Sequence, residues 1–219
     1  RLKRTHLQRI GAKASRVATT AHARLSSPVE ARMQWTNSKD GYGWLSIALH
    51  WAAAIAIILM LVTGFRADIA GDAGDRATRA TVMAWHVGLG ASFFIILLAR
   101  VVSSYLQPRP TPVEQAAPLN LVSSLTHQIL LIGILVQIIS GPLAIWSGGR
   151  AINVFDVIAI PSPFVERNQG VHEIAETLHA IGRWALIVFI GLHVLGALKH
   201  VFIDRDGVLR RMLAPPKRD

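Results

Sequence analysis

Residues 172–202 read HEIAETLHAIGRWALIVFIGLHVLGALKHVF. At ~1.5 Å rise per residue a helix of this length crosses a hydrocarbon core of ~30 Å with some to spare. The stretch carries four histidines, His172, His179, His193 and His200, at intervals of 7, 14 and 7. Seven residues turn a helix by about 700°, ~20° short of two full turns, so the four lie on one stripe. An ionisable group facing lipid is costly, so the stripe should face the inside of a bundle. His179 and His193 are separated by about 21 Å along the axis, which puts one near each face of the membrane. His172 and His200 fall near the water boundary.

Three more apolar blocks precede this one, at Trp44–Phe65, Val82–Ser103 and Leu121–Trp146. The 219 residues are 52% hydrophobic and only 16% charged, with a mean hydropathy of +0.40, too apolar for a water-soluble domain. Blocks of this length exclude a β-barrel, whose strands would be short and alternating. Lipid offers the backbone no partner, so each block should be a helix. The expected fold is therefore all-α, an integral membrane four-helix bundle. Its connections are read as loops at Arg66–Thr81, around Pro108-Arg109-Pro110-Thr111-Pro112, and at Gly148–Val171. The chain has no cysteine, which excludes disulfides, thiolate metal sites, iron–sulfur clusters and covalently attached c-type haem.

The formal charge of +10 is a topology signal. Of 23 Lys and Arg, nine precede the first block, Arg100 and Arg109 flank the Pro-rich loop, and six follow Leu198. The positive-inside rule then places both termini and the Pro-rich loop in the cytoplasm. Nucleic acid is not an expected partner, because no aromatic interleaving or base-reading motif accompanies the basic tail. Residues 1–32 are read as a basic N-terminal tail without the apolar region of a signal peptide, upstream of a true start at Met33. Residues 33–219 form the membrane domain.

With that orientation, His50 lies near the inner face at the depth of His193, and His86 lies near the outer face at the depth of His179. Two bis-histidine pairs result. Facing imidazoles in a helical bundle, each offering one nitrogen, suit a six-coordinate b-type haem, so two haem b are expected. His50, His86, His179 and His193 are the expected axial ligands of the haem irons. Gly88, Gly90, Gly182 and Gly196, close to these histidines, are expected to make room for a flat macrocycle. A zinc or iron transporter is the alternative from another class, but such a site usually adds carboxylates, and the first three blocks contain no Asp or Glu.

The chain resembles the bacterial cytochrome b561 family of four-helix di-haem membrane cytochromes. The resemblance rests on Tyr42-Gly43-Trp44-Leu45-Ser46-Ile47-Ala48-Leu49-His50-Trp51, Trp85-His86-Val87-Gly88, Leu178-His179-Ala180, Gly191-Leu192-His193 and Asp206-Gly207-Val208-Leu209-Arg210-Arg211-Met212. It implies the same four histidine ligands, a place in the bacterial cytoplasmic (inner) membrane, and membrane lipid as surroundings. It also implies electron transfer between a periplasmic donor and quinone, with ubiquinone as substrate and superoxide as donor in one member of the family. In that case the protein is an oxidoreductase of superoxide:quinone type. Cousins of the family instead serve as haem b anchor subunits that pass electrons from a partner dehydrogenase or hydrogenase to quinone.

A cationic rim would collect superoxide, yet Arg66, Arg76, Arg79, Arg150 and Arg167 on the outer side are balanced by Asp68, Asp72, Asp75, Asp156 and Glu166. Steering would depend on local arrangement. For a quinone slot, Gln137, Ser140, His127, Arg183 and Trp146 are candidates that spacing does not separate.

Overall fold

A computed structural model describes residues 34–216. The basic tail 1–32, with His6 and His22, and the start at Met33 lie outside the described residues.

Helix α1 spans Trp44–Asp72 and α2 spans Arg76–Leu106. Both overrun the apolar blocks, so the loop expected at Arg66–Thr81 is helix on either side of a short turn. Hydropathy marks where lipid ends, whereas the helical hydrogen-bond ladder continues as long as one face stays packed. Ala67 and Ala70 keep that face buried. The turn works because Gly74 takes φ +72°, a left-handed conformation that costs glycine little. Asp75 then caps α2 by accepting from the Thr78 N–H at 3.0 Å, and hydrogen bonds from Thr78 hold its carboxyl below the usual carboxylate range.

Helix α3 spans Ala117–Ser147 and begins with Pro118 in its first turn, where a missing N–H costs nothing. The segment Gly148–Val171, expected as loop in an all-α chain, contains two short strands, β1 (Ile152–Val154) and β2 (Ile158–Ile160), paired antiparallel with Val154 opposite Ile158. The Val157 N–H closes the turn on the Val154 carbonyl at 3.0 Å, with Phe155 and Asp156 both at positive φ. Two successive left-handed residues match the twist of a hairpin. The apolar Ile/Val alternation that forms these strands is too short to register against four membrane-length blocks.

Helix α4 spans Gln169–Lys199, capped by Asn168, and ends in a π-helical turn at His200–Asp204. A final turn of helix, α5, covers Val208–Arg211. Four helices, Trp44–Asp72, Arg76–Leu106, Ala117–Ser147 and Gln169–Asp204, are long and apolar enough to cross a membrane.

Helix α1 packs along α2, and α3 along α4; the two pairs meet through α2 and α3. Between the ends lies an apolar layer of Ala53, Ala56, Leu97, Val101, Ile134, Ile138 and Leu186. Ile55, Ile95, Ile132 and Val188 each leave more than half of their surface exposed, a distribution that lipid satisfies and water does not. At one end the β-hairpin rests on α2 and α3. At the other, the Trp51 Nε1–H donates to the Met212 carbonyl at 2.7 Å and Arg211 donates to the Thr111 carbonyl at 2.9 Å. These are called the hairpin end and the terminal end.

Candidate functional site

At the hairpin end, α2 and α4 bring His86 and His179 together, with ring centroids 6.3 Å apart and planes at 79°. At the terminal end, α1 and α4 bring His50 and His193 together at 6.1 Å and 63°. Two imidazoles bound end-on to one metal, with bonds of about 2 Å, put each ring centre a little over 3 Å from it, so both separations fit axial ligation of a metal held between the rings.

The hairpin-end pair is also fixed in tautomer. The Thr63 hydroxyl donates to the Leu59 carbonyl at 2.8 Å and lies 3.0 Å from His86 Nδ1. The Ser140 hydroxyl donates to the Val136 carbonyl at 2.6 Å and lies 3.1 Å from His179 Nδ1. A hydroxyl has one proton, and each spends it on a backbone carbonyl, so each must accept from the histidine Nδ1–H. The free lone pair of both rings then sits on Nε2, the nitrogen available to a metal.

Each hydroxyl residue is followed by a glycine against which the same ring lies. A Cβ on Gly64 would stand 3.4 Å from His86 Cε1, and one on Gly141 would stand 3.3 Å from His179 Cε1. The repeated dipeptides Thr63-Gly64 and Ser140-Gly141 were the available sequence signal for these second partners. Of the glycines expected to make room for a macrocycle, three meet protein instead and only Gly196 is open. Gly88 admits the Phe155 ring, which would lie within 2.7–2.9 Å of an added Cβ; Gly90 faces Met60; Gly182 lets α3 approach through Val136 and Gln137; Gly196 has nothing within 4 Å. Close packing of protein against protein explains the first three.

Phe155 covers α2 immediately beside His86, meeting Trp85 edge-on at 5.2 Å. The hairpin thus roofs this end. At the terminal end His127, three turns into α3, sets its ring 5.2 Å from that of His193. His172 donates Nδ1–H to the Ala144 carbonyl at 2.8 Å and faces Glu176, and His200 faces Asp206 at 2.6 Å, both at the ends of the bundle. Of the other quinone-slot candidates, Trp146 reaches the Ile160 carbonyl, and Arg183 pairs with Asp68, so that this carboxylate is part of the bundle and not loop charge.

A model of the prokaryotic cytochrome b561 family matches residues 41–215. The chain belongs to that family. This b561 is 29% identical over 188 residues to "Cytochrome b561 homolog 2" of Escherichia coli (strain K12), covering 85% of this chain and 98% of the relative. It is 25% identical over 182 residues to "Probable superoxide oxidase CybB" of Yersinia pestis, covering 81% and 97%. A "Probable Ni/Fe-hydrogenase B-type cytochrome subunit" of Bradyrhizobium diazoefficiens is 22% identical over 204 residues, covering 75% and 80%.

As a b561 the protein is a multi-pass inner-membrane cytochrome of a family that binds b-type haem and transfers electrons. The donor set suits that group, being neutral imidazole nitrogen without thiolate or carboxylate. Among the described residues, His200, Asp204 and Asp206 form the one cluster of three metal-capable side chains, and it lies away from both histidine pairs, with Lys199 already on Asp204. A metal-transport site built on the pairs would lack carboxylates.

Proposed function

We propose that this b561 holds two haem b and carries electrons across the membrane from a periplasmic donor, superoxide, to ubiquinone. His86 and His179 would hold the outer haem and His50 and His193 the inner one, with the hairpin end periplasmic and both termini and the Pro-rich loop cytoplasmic. The observation that carries the reading is the presence of two like imidazole pairs at opposite ends of a bundle whose relatives include a named superoxide oxidase.

Bound haem supplies a reversible one-electron centre. The chain's own part is to present Nε2 at the hairpin end, to keep that nitrogen free by fixing Nδ1–H on Thr63 and Ser140, and to pack the Phe155 ring on Gly88 and Trp85 beside His86. The overall change balances: two superoxide ions each lose one electron and become dioxygen, while one ubiquinone gains two electrons and two protons and becomes ubiquinol. No hydrogen peroxide is formed, in contrast to dismutation.

Purified protein given superoxide and ubiquinone should therefore form ubiquinol without stoichiometric peroxide. Superoxide is an anion steered over a Debye length of ~8 Å at physiological salt, so the rate should fall as salt rises. Neutralising Arg150 or Arg167, both on the long segment leading to α4, should lower the rate and leave the haem spectrum intact. Haems reduced by a partner protein or by quinol, but not by superoxide, would refute the reading. That result would favour the second one, a b-type subunit of a dehydrogenase or hydrogenase complex, which the Bradyrhizobium relative supports.

A further inference from the structure

Arg183 lies four residues after His179 on α4, one turn away on the same side of the helix. It donates Nη1–H to Asp68 of α1, and its guanidinium sits 5.1 Å from the Phe65 ring and 5.7 Å from the Trp184 ring. Phe65 and Trp184 meet edge-on at 5.9 Å. Helices α1 and α4 belong to different packed pairs, so this group bridges the two halves of the bundle.

Three features specify what the group would bind. The Arg183 Nε atom is buried and has no hydrogen-bond partner, which leaves one strong donor unspent. A buried donor without an acceptor is costly and marks a place where an acceptor belongs. The charge of the guanidinium is already matched by Asp68, so a neutral acceptor fits better than a second anion, which would set two carboxylates or their like on one cation. The surroundings face lipid: Trp184 is 55% and Ile181 61% exposed. A neutral acceptor arriving from lipid, and lying against two aromatic rings, has the chemistry of a quinone headgroup, a flat ring bearing carbonyl oxygens. Asp68 also lines, with Gly71, Asp72 and Arg79, a hollow of about 400 Å³ that opens to water. The carboxylate thus touches both Arg183 and a water-open hollow, a source of protons.

We infer that Arg183, Asp68, Phe65 and Trp184 form a quinone-headgroup site at the hairpin end, with Arg183 Nε–H donating to a quinone carbonyl oxygen and Asp68 linking that site to water. The inference rests on the proposed quinone chemistry and narrows its route: with the quinone reduced beside the outer pair, on the donor's side, the electrons of this reaction would reach it without crossing to the inner pair, and its two protons would come from that side.

The test uses haem-loaded full-length protein in detergent, with its haems reduced by stoichiometric dithionite under anaerobic conditions and mixed with decylubiquinone. The parent protein must be reoxidised; if it is not, the quinone reading itself fails, and this site with it. If it is, Arg183→Lys and Arg183→Gln should raise the half-saturating decylubiquinone concentration about tenfold or more, since a hydrogen bond from a charged donor is lost, with both haem bands retained. Lysine keeps a cation opposite Asp68 but places no donor at Nε, so it separates the donor from the ion pair. Quenching of tryptophan fluorescence by decylubiquinone in the oxidised protein, read without turnover, should weaken in the Trp184→Phe variant and in both Arg183 variants. Unchanged half-saturation in both Arg183 variants would overturn the site while leaving the quinone chemistry standing. Loss of a haem band in Arg183→Lys would also overturn it, by assigning the guanidinium to the haem.

Discussion

The two histidine pairs share a ring separation of about 6 Å but differ in how their rings are held. At the hairpin end each imidazole gives its Nδ1–H to a hydroxyl whose own proton is committed to the helix backbone, and each rests on a glycine. At the terminal end no hydroxyl plays that part among the described residues; His193 instead has the His127 ring beside it. One end is fixed by hydrogen bonds and close backbone approach, the other by ring packing. A ligand whose Nδ1–H is donated is more electron-rich at Nε2, so the two haems of the proposed cytochrome should differ in potential as well as in place.

The largest expected effect separates the ends. His86→Ala or His179→Ala should abolish one component of the reduced absorption spectrum, and His50→Ala or His193→Ala the other. His172→Ala and His200→Ala should spare both. If His50→Ala and His86→Ala removed the same component, the pairing by depth would be wrong.

Next comes a loss confined to the hairpin end. Gly141→Val or Gly64→Leu would drive a side chain into the His179 or His86 ring, since even a Cβ already reaches 3.3–3.4 Å. Each variant should lose half or more of the outer haem component while the inner one persists, as quantified from reduced-minus-oxidised spectra. Equal loss of both components would mean that the glycines serve folding of the whole bundle.

The smallest effect tests the asymmetry itself. Thr63→Val and Ser140→Ala remove an acceptor worth about 0.5–1.5 kcal/mol, which for a one-electron couple is about 20–60 mV. The outer potential should rise by that much in a redox titration, with the inner one unmoved. A fall, or an equal shift of both, would break the link between hydroxyl and haem.

The histidine pairing was legible in the sequence because it follows from helix periodicity and span depth alone: the 14-residue interval on α4 and the early positions of His50 and His86 suffice. The hydroxyl and glycine partners were not, because which residue of α1 or α3 meets a given ring depends on how the helices are rotated about their axes. In the sequence Ser140 reads only as one possible quinone contact, and nothing marks Thr63 beyond the glycine after it. The helix ends were misplaced for a related reason. Apolar content tracks lipid, while Asp68 and Arg183 pair just where the lipid signal fades, so Asp68 reads as loop charge and Arg183 only as one of five unseparated quinone contacts. The β-hairpin escaped because three-residue strands carry no periodicity to read.

Two histidine pairs, one at each end, call for two non-covalent haem b groups in one chain. A pyridine haemochrome assay on the purified full-length protein, set against polypeptide determined by amino-acid analysis, measures this directly. Two haems per chain, all extractable into acidified organic solvent, are expected; a value of one, or haem that resists extraction, would rule out two non-covalent sites.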